Sequence, residues 1–141
     1  MSGVLADTSV WIAYFKGRAE DKSASDALDY LLTGDEALVN DVILTELLPS
    51  MQARGEAEAA NLMGSLRCPA LEIDWKGLRN LQKDCLCAGI NKVGIPDLII
   101  AQQAMRLDIP LFSLDRHFEL IAKVAPLRLW PRQHRSARRK S

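Results

Sequence analysis

Between positions 93 and 101 the chain reads Val-Gly-Ile-Pro-Asp-Leu-Ile-Ile-Ala, which sets a single carboxylate, Asp97, at the mouth of a strongly apolar segment. Pro96 carries a fixed φ suited to a first helical turn and lacks an N–H that no helix could use there, so the run predicts a helix beginning near Pro96. Asp97 then lies in the first turn, where an acid complements the macrodipole. A lone Asp in that place is ordinarily a cap and nothing more. Here it has company. Asp7 follows Val4-Leu5-Ala6, Asp115 follows Leu111-Phe112-Ser113-Leu114, and Glu46 sits inside Val42-Ile43-Leu44-Thr45-Glu46-Leu47-Leu48. Four acids are each tied to a segment apolar enough to be buried.

Taken in order, strand and helix patterns alternate. Residues 4–6 read as a short buried strand, and Asp7, Thr8 and Ser9 offer caps to a helix containing Val10, Trp11 and Ile12. A polar loop over 16–25 leads to a second helix from about Ser25, which ends at Thr33-Gly34-Asp35. Residues 37–39 form the next strand, Asn40-Asp41 the cap of a helix over 42–51, and Pro49 is expected to kink or interrupt that helix. A helix over 56–66 and a third strand within 69–74 follow. Leu78, Leu81 and Cys85 then mark a helical face that stops at Gly89. After the Asp97 helix come a strand over 109–114, a short helix over 118–122 and a final strand at Leu127 and Leu129 with Arg128 facing outward. Strands of three to six residues separated by helices predict an α/β three-layer sandwich, with a short, mainly parallel sheet and helices on both faces.

At 141 residues the chain suits one domain with a real core. Its zero net charge conceals a polarity. Five of the eighteen basic residues lie in 132–141 (Arg132, Arg135, Arg138, Arg139 and Lys140), leaving thirteen in 1–131 against all eighteen acids. A domain over 1–131 with a basic tail is the expected division. Cys68, Cys85 and Cys87 form neither a paired framework nor a zinc half-site, which suits a reducing cytoplasm. With no signal-peptide pattern and no apolar run approaching the roughly 20 residues of a membrane span, a soluble protein is expected.

Ligands of parallel α/β sheets collect beyond the carboxyl ends of the strands, where Asp7 and Asp115 stand; Asp97 and the longer Glu46 can reach the same crevice. Like charges so placed repel unless a cation is present. Oxygen ligands, with no His or Cys at ligand spacing, favour Mg²⁺ or Mn²⁺ over zinc. Such an ion can acidify a water and stabilise the leaving oxygen of a phosphodiester, so hydrolysis of a nucleic-acid backbone is the chemistry that fits. Thr8, Ser9 and Ser113 flank the acids and can hydrogen-bond them, although caps and turns are equally ordinary uses of such residues.

These motifs resemble the PIN domain and, within it, the VapC type of ribonuclease toxin. The similarity covers residues 4–130. Val4-Leu5-Ala6-Asp7-Thr8-Ser9 looks like the family's opening strand, first acid and hydroxyl; Thr45-Glu46-Leu47 its helical glutamate; Pro96-Asp97-Leu98-Ile99-Ile100-Ala101 its third acid; and Ser113-Leu114-Asp115-Arg116-His117-Phe118 its last acid with the following aromatic. The resemblance implies a PIN-like sandwich and an endoribonuclease in which Asp7, Glu46, Asp97 and Asp115 bind Mg²⁺ or Mn²⁺ and activate water. It also implies a homodimer, an RNA substrate of the translation apparatus (tRNA, rRNA or mRNA), and a cognate antitoxin whose tail crosses the active site.

Other uses of the same residues fit less well. His117 beside Phe118 reads as structural or exposed rather than as a general base, and Asp41 as a cap. Trp11, Tyr14 and Phe15 read as packing residues rather than base-stacking platforms. The basic tail suits RNA phosphates or a merely solubilising terminus. A phosphotransfer receiver needs adjacent acids early in the chain, and a haloacid-dehalogenase-type phosphatase needs Asp-x-Asp, whereas Asp7 is followed by Thr8 and Ser9. The competing reading is a PIN fold serving as a non-catalytic RNA-binding or protein-interaction module.

Overall fold

A computed structural model describes residues 1–131; the tail at 132–141, and the RNA contact read for it, lie outside the described residues. Three parallel strands, β1 (Val4–Ala6), β2 (Ala37–Leu38) and β3 (Leu111–Phe112), pair in the order β2-β1-β3. Leu5 is the hub of the register, facing Leu38 on one side and Leu111 on the other. Successive strand residues point to opposite faces, yet all seven are buried, so both faces of the sheet are covered.

The cover comes from seven helices: α1 (Thr8–Lys16), α2 (Lys22–Thr33), α3 (Asp41–Ala53), α4 (Ala57–Ser65), α5 (Trp75–Cys87), α6 (Ile95–Leu107) and α7 (Arg116–Ile121). Trp11, Leu28, Ile43, Met63, Ile100 and Phe118 are all sealed from solvent around the strands. Trp11 is a core residue whose indole N–H donates to the Ala6 carbonyl at 2.9 Å, and Tyr14 and Phe15 pack around it edge-on and stacked. α6 begins at Ile95 with Pro96 in its first turn, and α1 is capped by Asp7, α3 by Asn40.

Several expectations need correction. The third strand expected within 69–74 does not form. The one bridge nearby, Leu38 to Arg67, falls before the segment, and glutamine side chains of α6 take the place of a ladder within it. The Gln103 amide donates to the carbonyls of Pro69 and Ala70, and Gln102 both accepts from the Asp74 N–H and donates to its carbonyl. The final strand is likewise one bridge, Leu111 to Leu129; Arg128 does face outward, donating to the Asp108 carbonyl. β3 is two residues rather than six, because past Phe112 the Ser113 hydroxyl accepts the Asp115 N–H and turns the chain out of the sheet.

Pro49 does not interrupt α3. An interior proline costs about 3 kcal/mol, but Leu47 and Met51, buried on either side of it, hold the helix to the core through to Ala53. α2 starts at Lys22, three residues earlier than expected, with an ion pair between Lys22 and Asp26 across its first turn.

Candidate metal centre

Because the strands are parallel, their carboxyl ends share one edge of the sheet. Asp7 leaves β1 there, and Asp115 follows β3 by three residues. Asp7 is only 4% exposed, and every contact it makes holds a carboxylate in place. Its Oδ1 accepts from the Ser9 hydroxyl at 2.6 Å and from the Ser9 and Val10 N–H groups at 3.1 and 3.4 Å; its Oδ2 accepts from the Ser113 hydroxyl at 2.8 Å. Burial nevertheless dominates, raising the carboxyl to about 6 against the pull of those hydrogen bonds, with the charge of Asp115 adding to the rise.

Asp97 stands half-buried in the first turn of α6. Burial raises its carboxyl too, and the charges of Asp115 and Glu46 push the same way while a hydrogen bond to His117 opposes them. Glu46 is exposed on α3 and accepts a short hydrogen bond from the Thr8 hydroxyl, which turns it toward the start of α1. Asp7 senses Asp115, and Asp97 senses both Asp115 and Glu46. Electrostatic contact thus runs from Asp7 to Asp115, from Asp115 to Asp97 and from Asp97 to Glu46, with Ser9 and Ser113 hydrogen-bonded to Asp7 and Thr8 to Glu46.

The sequence gives no histidine at ligand spacing, and the structure corrects that reading. His117, second residue of α7, brings its Nδ1 to 3.3 Å from Asp97 Oδ2 and 3.4 Å from Asp115 Oδ1. One atom from each of Asp97, Asp115 and His117 falls within 4.8 Å of the others, a spacing a metal ion can bridge. The usable signal was His117's position two residues beyond an acid at a strand end, where the Asp115 cap fixes the backbone: Asp115 Oδ1 accepts the His117 N–H at 2.9 Å.

The donors suit a divalent cation. They are hard oxygens with one imidazole nitrogen, and among the described residues no Lys or Arg is ion-paired with Asp7, Glu46, Asp97 or Asp115.

The sequence model of the PIN domain matches residues 4–124. The chain belongs to the PIN domain family. Solved structures share its fold at low identity. A chain of the DNA-bound VapBC complex from Salmonella typhimurium superposes with a TM-score of 0.68 at 15% identity, over 92% of this chain and 97% of that one. For the FitAcB complex from Neisseria gonorrhoeae the figures are 0.65, 16%, 93% and 99%. VapC20 of Mycobacterium tuberculosis, described as a toxin that cleaves the sarcin-ricin loop, gives 0.59, 15%, 89% and 99%. No curated protein matches the chain.

Proposed function

We propose that this PIN domain is a divalent-metal-dependent endoribonuclease of the VapC type, the toxin of a toxin–antitoxin pair, which inhibits translation by cutting a tRNA, rRNA or mRNA. The proposal is supported by the ligand atoms of Asp97, Asp115 and His117 lying within 4.8 Å of one another, by the charge of Asp115 felt at Asp7 and of Glu46 felt at Asp97, and by the four hydrogen bonds that keep Asp7 in place despite the cost of burying it. A site that only bound RNA would gain nothing from concentrating negative charge where phosphates must lie.

In this reading the four acids hold Mg²⁺ or Mn²⁺. When bound, the ion polarises a phosphodiester and makes water acidic enough to attack it near neutral pH. The chain's own residues supply position. Ser9 and Ser113 fix the direction of the Asp7 carboxylate, and Thr8 fixes that of Glu46.

Partners follow from the surface. A groove of about 610 Å³ between α1, α3 and α4, lined by Ile12, Phe15, Leu47 and Met51 and ending at Glu46, offers an apolar bed for an antitoxin segment leading to the acids. Trp75 and Ile95, both more than half exposed at adjoining ends of α5 and α6, offer a face to a second copy in a homodimer. Among the described residues no helix is long and apolar enough to cross a membrane, in keeping with the cytoplasm as the site of action. Residues 1–131 are the catalytic domain in this reading and 132–141 an RNA-contacting extension. Deleting 132–141 then weakens RNA affinity and flattens its dependence on salt; an unchanged slope removes the role of the tail.

End-mapping of total RNA after induced expression tests the enzyme directly. Wild type is expected to generate discrete new ends, and Asp97→Asn to lose them by at least about 100-fold. Equal cleavage by both, or none by either, leaves the non-catalytic module standing.

A further inference from the structure

His117 is not a core residue, and its contacts are with two carboxylates at once. Its side chain is one-third exposed, so it fills no space in the core; the neighbouring Phe118, 1% exposed, does the anchoring of α7. Its Nδ1 makes only a long hydrogen bond to Asp97 and stands as far from Asp115, beyond the roughly 2.7–2.9 Å of a tight charge-assisted hydrogen bond. At 3.3 Å from Asp97 Oδ2 and 3.4 Å from Asp115 Oδ1 it is shared almost evenly between them. Around a common ion with bonds of about 2.1 Å, ligand atoms stand about 3.0 Å apart at right angles and about 3.4 Å apart at tetrahedral angles. Both His117 separations thus match those of one coordination shell, and all three donors lie within 4.8 Å of one another.

We infer that His117 Nδ1 is a direct ligand of the metal ion, and that this chain therefore favours a transition-metal ion such as Mn²⁺ over Mg²⁺. Imidazole adds affinity for first-row transition metals, whereas Mg²⁺ prefers oxygen donors and sheds water reluctantly. The Asp115 cap makes the ligand ready-made. The hydrogen bond from the His117 N–H to Asp115 Oδ1 ties the histidine's backbone to the carboxylate beside which its own Nδ1 stands. The inference rests on the proposed metal site, and its test separates the two.

The full chain is loaded with Mn²⁺ and examined by electron spin-echo spectroscopy, which detects a directly bonded ¹⁴N, alongside calorimetric titration with Mn²⁺ and with Mg²⁺. Wild type is expected to show imidazole nitrogen coupling, replaced by the ¹⁵N pattern after labelling of histidine. In His117→Ala the coupling disappears, Mn²⁺ affinity falls roughly tenfold or more, and Mg²⁺ affinity changes less than about threefold. The other histidine of the chain, His134, remains in that variant and serves as the internal control. Mn²⁺ bound in an Asp97-dependent manner without nitrogen coupling, or coupling that survives in His117→Ala, overturns the role of His117 and leaves the ribonuclease reading intact. Absence of any Asp97-dependent Mn²⁺ binding overturns both.

Discussion

The two corners of the acidic cluster are built on different physical terms. Asp7 is sealed at the end of β1 with both oxygens occupied by hydroxyls and backbone N–H groups. Across the site, the side chains of Asp97, Asp115 and His117 are 24%, 38% and 34% exposed, with His117 Nδ1 at 3.3 Å from Asp97 and 3.4 Å from Asp115. The first corner is part of the fold and its ionisation is coupled to stability. The second is part of the surface, able to shift by tenths of an ångström around an ion or a phosphate. The metal site proposed here would draw a rigid reference from the first corner and adjustable ligands from the second.

Asp7→Asn should break the comparison most strongly. In the metal-free chain Asp7 holds its proton more tightly when folded, at about 6, than the ordinary 3.8 of an unfolded Asp. The native state therefore binds more protons in that window, and stability falls as pH rises through it, by about 3 kcal/mol once Asp7 is fully ionised. Asparagine keeps the carbonyl acceptor for Ser9 and Val10 and can donate to Ser113 Oγ. The variant is thus expected to be more stable than wild type in urea at pH 7–8, to match it near pH 4, and to be inactive at every pH. A variant less stable than wild type at neutral pH would show that Asp7 is not strained by burial.

Ser113→Ala comes next. The hydroxyl donates to Asp7 Oδ2 and accepts from the Asp115 N–H, so its loss uncouples the two corners and leaves a buried carboxylate oxygen unmatched. A cost of about 1–3 kcal/mol in urea unfolding is expected, together with a further rise in the pH at which Asp7 ionises. An unchanged midpoint would mean that Ser113 forms only a turn. Thr8→Val sits at the lower end. It frees an exposed Glu46, so stability should barely move, while Mn²⁺ affinity falls by no more than about tenfold. A larger loss would place Glu46 with the rigid corner.

What could be read from sequence follows the same split between local and distant causes. Val4-Leu5-Ala6 before Asp7, and Pro96 before Asp97, are local patterns whose physics lies within a few residues, and β1, α1 and α6 appear where those patterns put them. Residues 69–74 looked equally apolar, yet their backbone is satisfied by Gln102 and Gln103, some thirty residues away. No period or propensity carries such a bond. Buried Asn40 belongs to the same network, capping α3 while its amide donates to Gln103, so a residue legible as a cap proves also to be a tie between layers. His117 was set aside for a related reason: its neighbour in sequence is Phe118, but its neighbour in space is Asp97, twenty residues earlier. Pro49 failed as a helix breaker because tertiary burial of Leu47 and Met51 outweighs a local penalty.

The central claim is that acids from both corners grip one divalent cation. Calorimetric titration of the full chain with Mn²⁺ at neutral pH, in wild type and in Asp7→Asn and Asp97→Asn, addresses it most directly. One saturable site, lost in both variants although one changes the sealed corner and the other the open one, is the expected result. Binding that survives Asp7→Asn, or no saturable binding by wild type, would contradict it.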